Sequence, residues 1–224
     1  MNILIGKKLT IPLYHGTSNL FYEDIQKHGF GGKNLIEELK VMDMLTQLYD
    51  VCITETNFKH EEPVLDLLCL KILSQEDAWQ YKSLYLNSSR CKAVTHALSN
   101  KYGSEILSLT MYLYEYITNM YPSFQFNNPI HNQLADLLLE ADIQPVVLRF
   151  DNMDIDTLTM AVSDKEKFLY TLFKLREMYK KFGEMAGDLF QMNFVIPYGK
   201  PISQDKITKE DIYYLSCTKK FDRG

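Results

Sequence analysis

The sequence predicts an α+β fold with a mixed or mainly antiparallel sheet. Segments with helical and strand periodicity are interspersed along the 224 residues. Most connections between strands are long, while some strands adjoin directly, a pattern that disfavours a doubly wound parallel sheet. Neither G-x-G-x-x-G nor G-x-x-x-x-G-K-[ST] stands at a strand-to-helix junction, which weighs against Rossmann and P-loop nucleotide binding. The length suits one domain spanning 1–224 with a substantial core, and no repeat, low-complexity tract or Pro/Gly/Ser linker divides it.

Taken in order, "LTIPLYHGT" reads as a strand running into a turn, and "NLFYEDIQKHGF" as a short helix capped at Ser18 or Asn19 and stopped by Gly29. In "NLIEELKVMDMLTQLYDVC", Leu35, Leu39, Met42, Leu45 and Leu48 fall at helical spacing and predict one helix. "EEPVLDLLCLKILSQ" fits a helix or a buried strand. "SLYLNSS" alternates as a strand, and "RCKAVTHALSNKYG" follows as a helix closed near Gly103. "SEILSLTMYLYEYITNMYP" and "NPIHNQLADLLLEADI" are predicted helices, the first ending before Pro122. "QPVVLRFDN" is a strand, "DKEKFLYTLFKLREMYKKFGE" a helix, "LFQMNFVIPYGKPIS" a strand pair or a strand and bend, and "DIYYLSC" a final strand. His28, His60 and His131 are expected on helix surfaces, and Trp79 and Tyr102 in the core.

Composition narrows the classes. A hydrophobic fraction of 46% with 24% charged residues is that of a globular chain. The formal net charge of −5, with no long block of one sign, argues against a broad non-specific grip on nucleic acid. "MYKKFGE" and "CTKKFDRG" are the modest basic clusters, read as solvated surface. Cys52, Cys69, Cys91 and Cys217 form no CxxC pair, so no metal site is expected and reduced thiols in a cytoplasm are the natural reading. No apolar run reaches membrane-spanning length.

Two polar features stand where strands end. His15, Gly16 and Thr17 supply an imidazole, a backbone that a ligand can approach because Gly16 lacks Cβ, and a hydroxyl, a set able to hold a planar amide and a sugar. In "LYLNSSRCKAVTHALSNKYG", Tyr85 sits in a strand, a polar turn follows, and a helix presents Ala93 and His96. A third stretch, "FQMNFVIPYGKPISQDKI", lies near the C-terminus.

On these three motifs, spread over about residues 10–215, the chain resembles the ADP-ribosyltransferases of the diphtheria-toxin and poly(ADP-ribose)-polymerase type. Their strand-end His-Gly-Thr/Ser matches His15, Gly16 and Thr17; their strand tyrosine matches Tyr85; and their small residue matches Ala93. Eleven positions after Tyr85 stands His96 in place of the family's second aromatic. Against the family's "ExEVLIPPGT" type of phrase, Gln191 and Asn193 take the two acidic positions, and the usual catalytic glutamate is missing; Glu184 lies nearby but fits the register poorly.

The resemblance implies a split, mainly antiparallel sheet with added helices, including a helical insertion around 104–180, and NAD as co-substrate without a metal. By similarity, the Gly16 backbone would hold the nicotinamide carboxamide with Thr17 beside it, and His15 would bond the adenosine-side ribose. Tyr85 would stack on the nicotinamide and His96 would close its other face, next to Ala93. Gln191 or Asn193 would bond a ribose hydroxyl, since an amide can donate or accept, but it cannot serve as a base. Activity is favoured over loss of catalysis, with Gln191 placing the ribose or Glu184 swinging in. The implied function is transfer of ADP-ribose to a macromolecule, with RNA or DNA preferred over protein. Such a chain would act as a cytoplasmic toxin of a toxin–antitoxin or anti-phage module, with an antitoxin partner and no membrane. A catalytically inert NAD-binding module is the alternative. An RNA 2′-phosphotransferase ranks lower, because only Arg90, Arg149, Arg176 and Arg223 are present and none adjoins the His-Gly-Thr.

Overall fold

The computed structural model describes residues 3–74, 83–160, 165–197, 199–210 and 212. In chain order the strands are β1 Leu4–Ile5, β2 Lys8–Leu9, β3 Leu13–Ser18, β4 Ser83–Asn87, β5 Pro145–Phe150, β6 Thr159–Met160, β7 Asn193–Pro197 and β8 Ile207–Glu210. The helices are α1 Asn19–His28, α2 Leu35–Glu38, α3 Val41–Glu55, α4 Phe58–Glu61, α5 Pro63–Leu73, α6 Arg90–Ser99, α7 Glu105–Met120, α8 Pro129–Glu140, α9 Lys165–Phe182 and α10 Ala186–Leu189. The expected mixture of helices with antiparallel sheet is present: every strand pair among the described residues is antiparallel.

The chain divides into two compact units. The first, built from Met1–Lys33, Lys82–Gly103 and Gln144–Gly224, holds a six-stranded sheet of order β6-β7-β4-β3-β5-β8. Strand alternation sends Leu13, Leu86, Leu148, Phe150, Phe194 and Ile196 to one face. There they form the main core with Phe30 and with Leu172, Leu175 and Tyr179 of α9. The opposite face carries a smaller cluster in which Tyr14 and Val147 meet Ala93, Val94 and Ala97 of α6.

The second unit, Asn34–Tyr81 and Ser104–Ile143, is helical among its described residues. Its core comes from the inward stripes of α3 (Val41, Met44, Leu45, Leu48, Tyr49, Cys52) and α7 (Leu107, Leu109, Met111, Leu113, Tyr114, Ile117). Tyr49 donates its hydroxyl to Asp66 at 2.7 Å, tying α3 to α5. Residues 104–143 thus belong to the helical unit, whereas β5, β6 and α9 belong to the sheet unit.

Several expectations need correction. The single helix over 34–52 is two, because Lys40 takes a left-handed backbone (φ 52) between α2 and α3. The buried stripe therefore shifts to Val41, Met44, Leu45 and Leu48, and Leu39 is exposed. The ambiguous stretch after Glu61 is a helix, α5, opened by Pro63 at its first turn. His131 is buried rather than on a surface, with Phe126 edge-on at 5.8 Å. The last described strand is β8; the strand expected over 211–217 and the core role given to Trp79 fall outside the described residues. Tyr102 is buried as expected. No helix among the described residues is long and apolar enough to cross a membrane.

Candidate active site

The site is built around the junction of β3 and β4. Along its other edge β3 pairs with β5 through its whole length, from Leu13↔Phe150 to Ser18↔Pro145. Against β4 it has a single register pair, Tyr14↔Asn87. Past that point the main-chain ladder between the two central strands stops, and the His15 side chain meets the neighbouring strand instead. Its Nδ1 lies 2.8 Å from the Tyr85 carbonyl, a contact between residues 70 apart in sequence.

That contact fixes the chemistry of the ring. A carbonyl can only accept, so Nδ1 carries the proton and donates. Burial first, and the His96 ring second, lower the His15 pKa from 6.5 to about 4, against the opposing pull of the Tyr85 carbonyl. At neutral pH the imidazole is therefore uncharged, and its Nε2 keeps a lone pair that can accept a hydrogen bond. Phe30 packs edge-on at 4.7 Å between centroids and His96 lies at 6.5 Å, so the ring has a fixed place. Asn100 Nδ2 sits 3.2 Å from Nδ1 of His96. An amide nitrogen donates, so in the neutral His96 ring the proton resides on Nε2.

His15 and Tyr85 meet through the tyrosine's backbone and not ring to ring. Alternation from Tyr14↔Asn87 puts Tyr85, Asn87 and Tyr14 on the face where α6 lies, and His15 on the face of Leu13 and Leu86. Asn193 is opposite Asn87 and Val195 opposite Tyr85, so Asn193 shares the tyrosine's face, two residues or about 7 Å along the ladder. Asn87 Nδ2 donates to Asn193 Oδ1, and Asn87 Oδ1 accepts from the Ser89 amide at 2.6 Å. Gln191 is exposed just before β7, whose approach is set by the Met192 amide donating to Ser88 Oγ at 2.9 Å.

Gly16 and Thr17 are engaged by the protein itself. A Cβ at Gly16 would lie 2.0 Å from the Ala93 carbonyl and 2.8 Å from the Ala97 nitrogen, so the close approach that this glycine permits is that of α6. Ala93 is buried in the same contact. Thr17 is buried, and its hydroxyl donates to the Gly103 carbonyl at 3.2 Å.

One carboxylate escapes a sequence reading. Asp188 of α10 accepts from Ser89 Oγ at 2.6 Å and from the Cys91 amide at 3.2 Å, closing the start of α6 beside the polar turn that follows Tyr85. Nothing local marks it, because its partners lie nearly a hundred residues upstream. A second charged group lies on the α6 face: Arg90 Nε donates to Glu210 at 2.6 Å, Arg149 Nη1 stands 3.8 Å from the same carboxylate, and Arg149 also bonds Asp151. Burial first, then Glu210, push the nearby Tyr14 hydroxyl up to about 12.

Comparison of the chain with protein-family models, with curated proteins and with solved structures gives no match in any of the three.

Proposed function

We propose that the chain is an NAD-dependent ADP-ribosyltransferase that modifies a macromolecule, nucleic acid before protein. The observation that supports this best is that His15 meets the Tyr85 backbone carbonyl at 2.8 Å and the His96 ring at 6.5 Å where the ladder between β3 and β4 stops. His15 and Tyr85 are residues on which the family resemblance rests, and His96 stands where the family has its second aromatic.

The reaction breaks the bond between nicotinamide and C1′ of its ribose; the electron pair leaves with nicotinamide, and a nucleophile of the acceptor bonds C1′ and gives up its proton. Cationic character develops on the ribose as the bond breaks. Neutral His15 would accept from a ribose hydroxyl at Nε2. Tyr85 would offer its ring face to the nicotinamide, and Asn193, on the same sheet face, would bond a hydroxyl on the reacting side. An amide leaves the acceptor's proton to the acceptor itself, to water or to a carboxylate such as Asp188. The cellular setting in keeping with this reading is a toxin held by an antitoxin.

A second reading, an inert NAD-binding module, draws on the Asn87–Asn193 bond, which occupies an amide where the family has a glutamate. A phosphotransferase is disfavoured, because Arg90 and Arg149 already meet Glu210 and Asp151.

Incubation with NAD labelled in its adenylate part and a cell extract, followed by nuclease or protease digestion, separates these. Label released by nuclease supports the first reading; label released by protease keeps the transferase and changes its acceptor. Bound NAD with neither label transfer nor nicotinamide release supports the inert module. Full activity retained in His15→Ala, Tyr85→Ala, Gln191→Ala and Asn193→Ala alike would remove the site from this place.

A further inference from the structure

The outer face of α9 carries a stripe that the core does not use. Inward, Phe168, Leu172, Leu175, Met178 and Tyr179 pack into the main core. Outward, at three- and four-residue spacing, stand Leu169, Tyr170 and Phe173, each at least 50% exposed, and then Lys174, Glu177, Lys180 and Lys181. The cations lie over rings: Lys174 Nζ is 5.3 Å above Tyr170, and Lys181 Nζ is 5.0 Å above Phe182. At the C-terminal end Lys174, Glu177, Met178, Lys180, Lys181 and Phe190 line an open hollow of about 480 Å³. Over 174–181, Lys174, Arg176, Lys180 and Lys181 against Glu177 leave a charge of +3, in a chain whose formal net charge is −5.

We propose that this face of α9 binds single-stranded nucleic acid. Exposed rings give bases a surface to stack on, and lysines set between them neutralise phosphates. The local charge is opposite to that of the chain as a whole, so the patch attracts a polyanion that the rest of the surface repels. A lipid surface fits less well. A helix lying in a membrane interface needs a continuous apolar face, whereas the continuous apolar face of α9 is given to the core. The outward stripe has Glu177 in its middle, paired with Lys180 at 2.8 Å. Insofar as it names where an acceptor docks, the proposal rests on the transferase reading; the binding itself does not.

Fluorescence anisotropy of the full chain with end-labelled dT12 and rU12, without NAD, tests it. Binding is expected to weaken with salt, with a log–log slope of about −2 for three neutralised phosphates. Lys174→Gln together with Lys181→Gln brings that slope toward about −0.7. Tyr170→Ala together with Phe173→Ala weakens binding about thirtyfold or more. All four side chains are exposed, and circular dichroism confirms that the variants stay folded. Absence of salt-dependent binding to both oligonucleotides overturns the proposal. So does equal affinity of the folded aromatic variant, or binding to vesicles of phosphatidylserine and phosphatidylcholine in place of the oligonucleotides. Failure of the NAD-labelling assay with oligonucleotide binding intact removes the transferase reading alone.

Discussion

At the residue scale, Gly16 and His15 carry opposite kinds of constraint. Alanine at 16 would drive a methyl into the backbone of α6, 2.0 Å from the Ala93 carbonyl, and neither element can yield without shifting along its neighbour. Gly16→Ala is therefore expected to cost about 3 kcal/mol or more. Gly6→Ala is the control: its φ of 61 strains an alanine, but nothing lies within 4 Å, so the cost is about 1–2 kcal/mol. Urea unfolding of the two variants measures the difference, and equal costs would mean that α6 does not lie on β3 as described. For His15 the constraint is electrostatic. Its folded pKa, about 4, is below the ordinary 6.5, so between these values the unfolded chain binds the extra proton. The stabilisation from keeping the ring neutral is fully present above about 6.5 and is lost as pH falls toward 4. Relative to His15→Gln, the wild-type chain should lose stability on acidification through that window, at up to about 1.4 kcal/mol per pH unit. Parallel pH profiles for the two proteins would show that the fold does not hold the ring neutral.

At the element scale, the start of α6 is held from two directions. Ser89 caps it locally, its Oγ accepting from the Lys92 amide at 3.0 Å while donating to Asp188 of α10. Each single change, Ser89→Ala or Asp188→Ala, is expected to cost about 1 kcal/mol. The double change should cost less than the two together, because they share one bond. A double-mutant cycle in urea decides it, and strict additivity would mean that the two ends are not coupled. Only part of this arrangement was legible in the sequence. Local pattern places a helix after the polar turn that holds Ser89, a helix at α7 and an alternating strand at β4, but it does not single out Ser89 as the cap. Asp188 acts across a gap that no periodicity spans. The break at Lys40 was equally hidden, since lysine carries no signal for a left-handed backbone. β8 reads "ITKE", without an apolar alternation, because as an edge strand it is half solvated. His15 and Tyr85 could be picked out by residue type and separation, but not the opposite faces they occupy, which depend on register.

At the scale of the whole molecule, the two units differ in how far apart their partners lie along the chain. In the six-stranded sheet no neighbouring strands are joined by a tight hairpin: β3 pairs with β5 through Leu13↔Phe150, β4 with β7 through Asn87↔Asn193, and β5 with β8 after a long excursion through α9. Each pairing must close a long loop before it gains any bond, and the entropy of that closure precedes the reward. The helices of the second unit also pack across distant segments, α3 against α7, but their backbone bonds are local and need no closure. Refolding should therefore protect the amides within α3 and α7 before those of the β3–β5 ladder. The ladder should close on the millisecond-to-second scale typical of non-local sheets. The joint between β3 and β4 has one register pair and should be among the last places to order, so the residues proposed to hold NAD take their final positions only when the sheet is complete. Pulsed hydrogen exchange during refolding resolves this: amides of β3 and β5 gaining protection together with those of α7 would mean that the sheet is nucleated early, and that the long crossovers do not set the order of assembly.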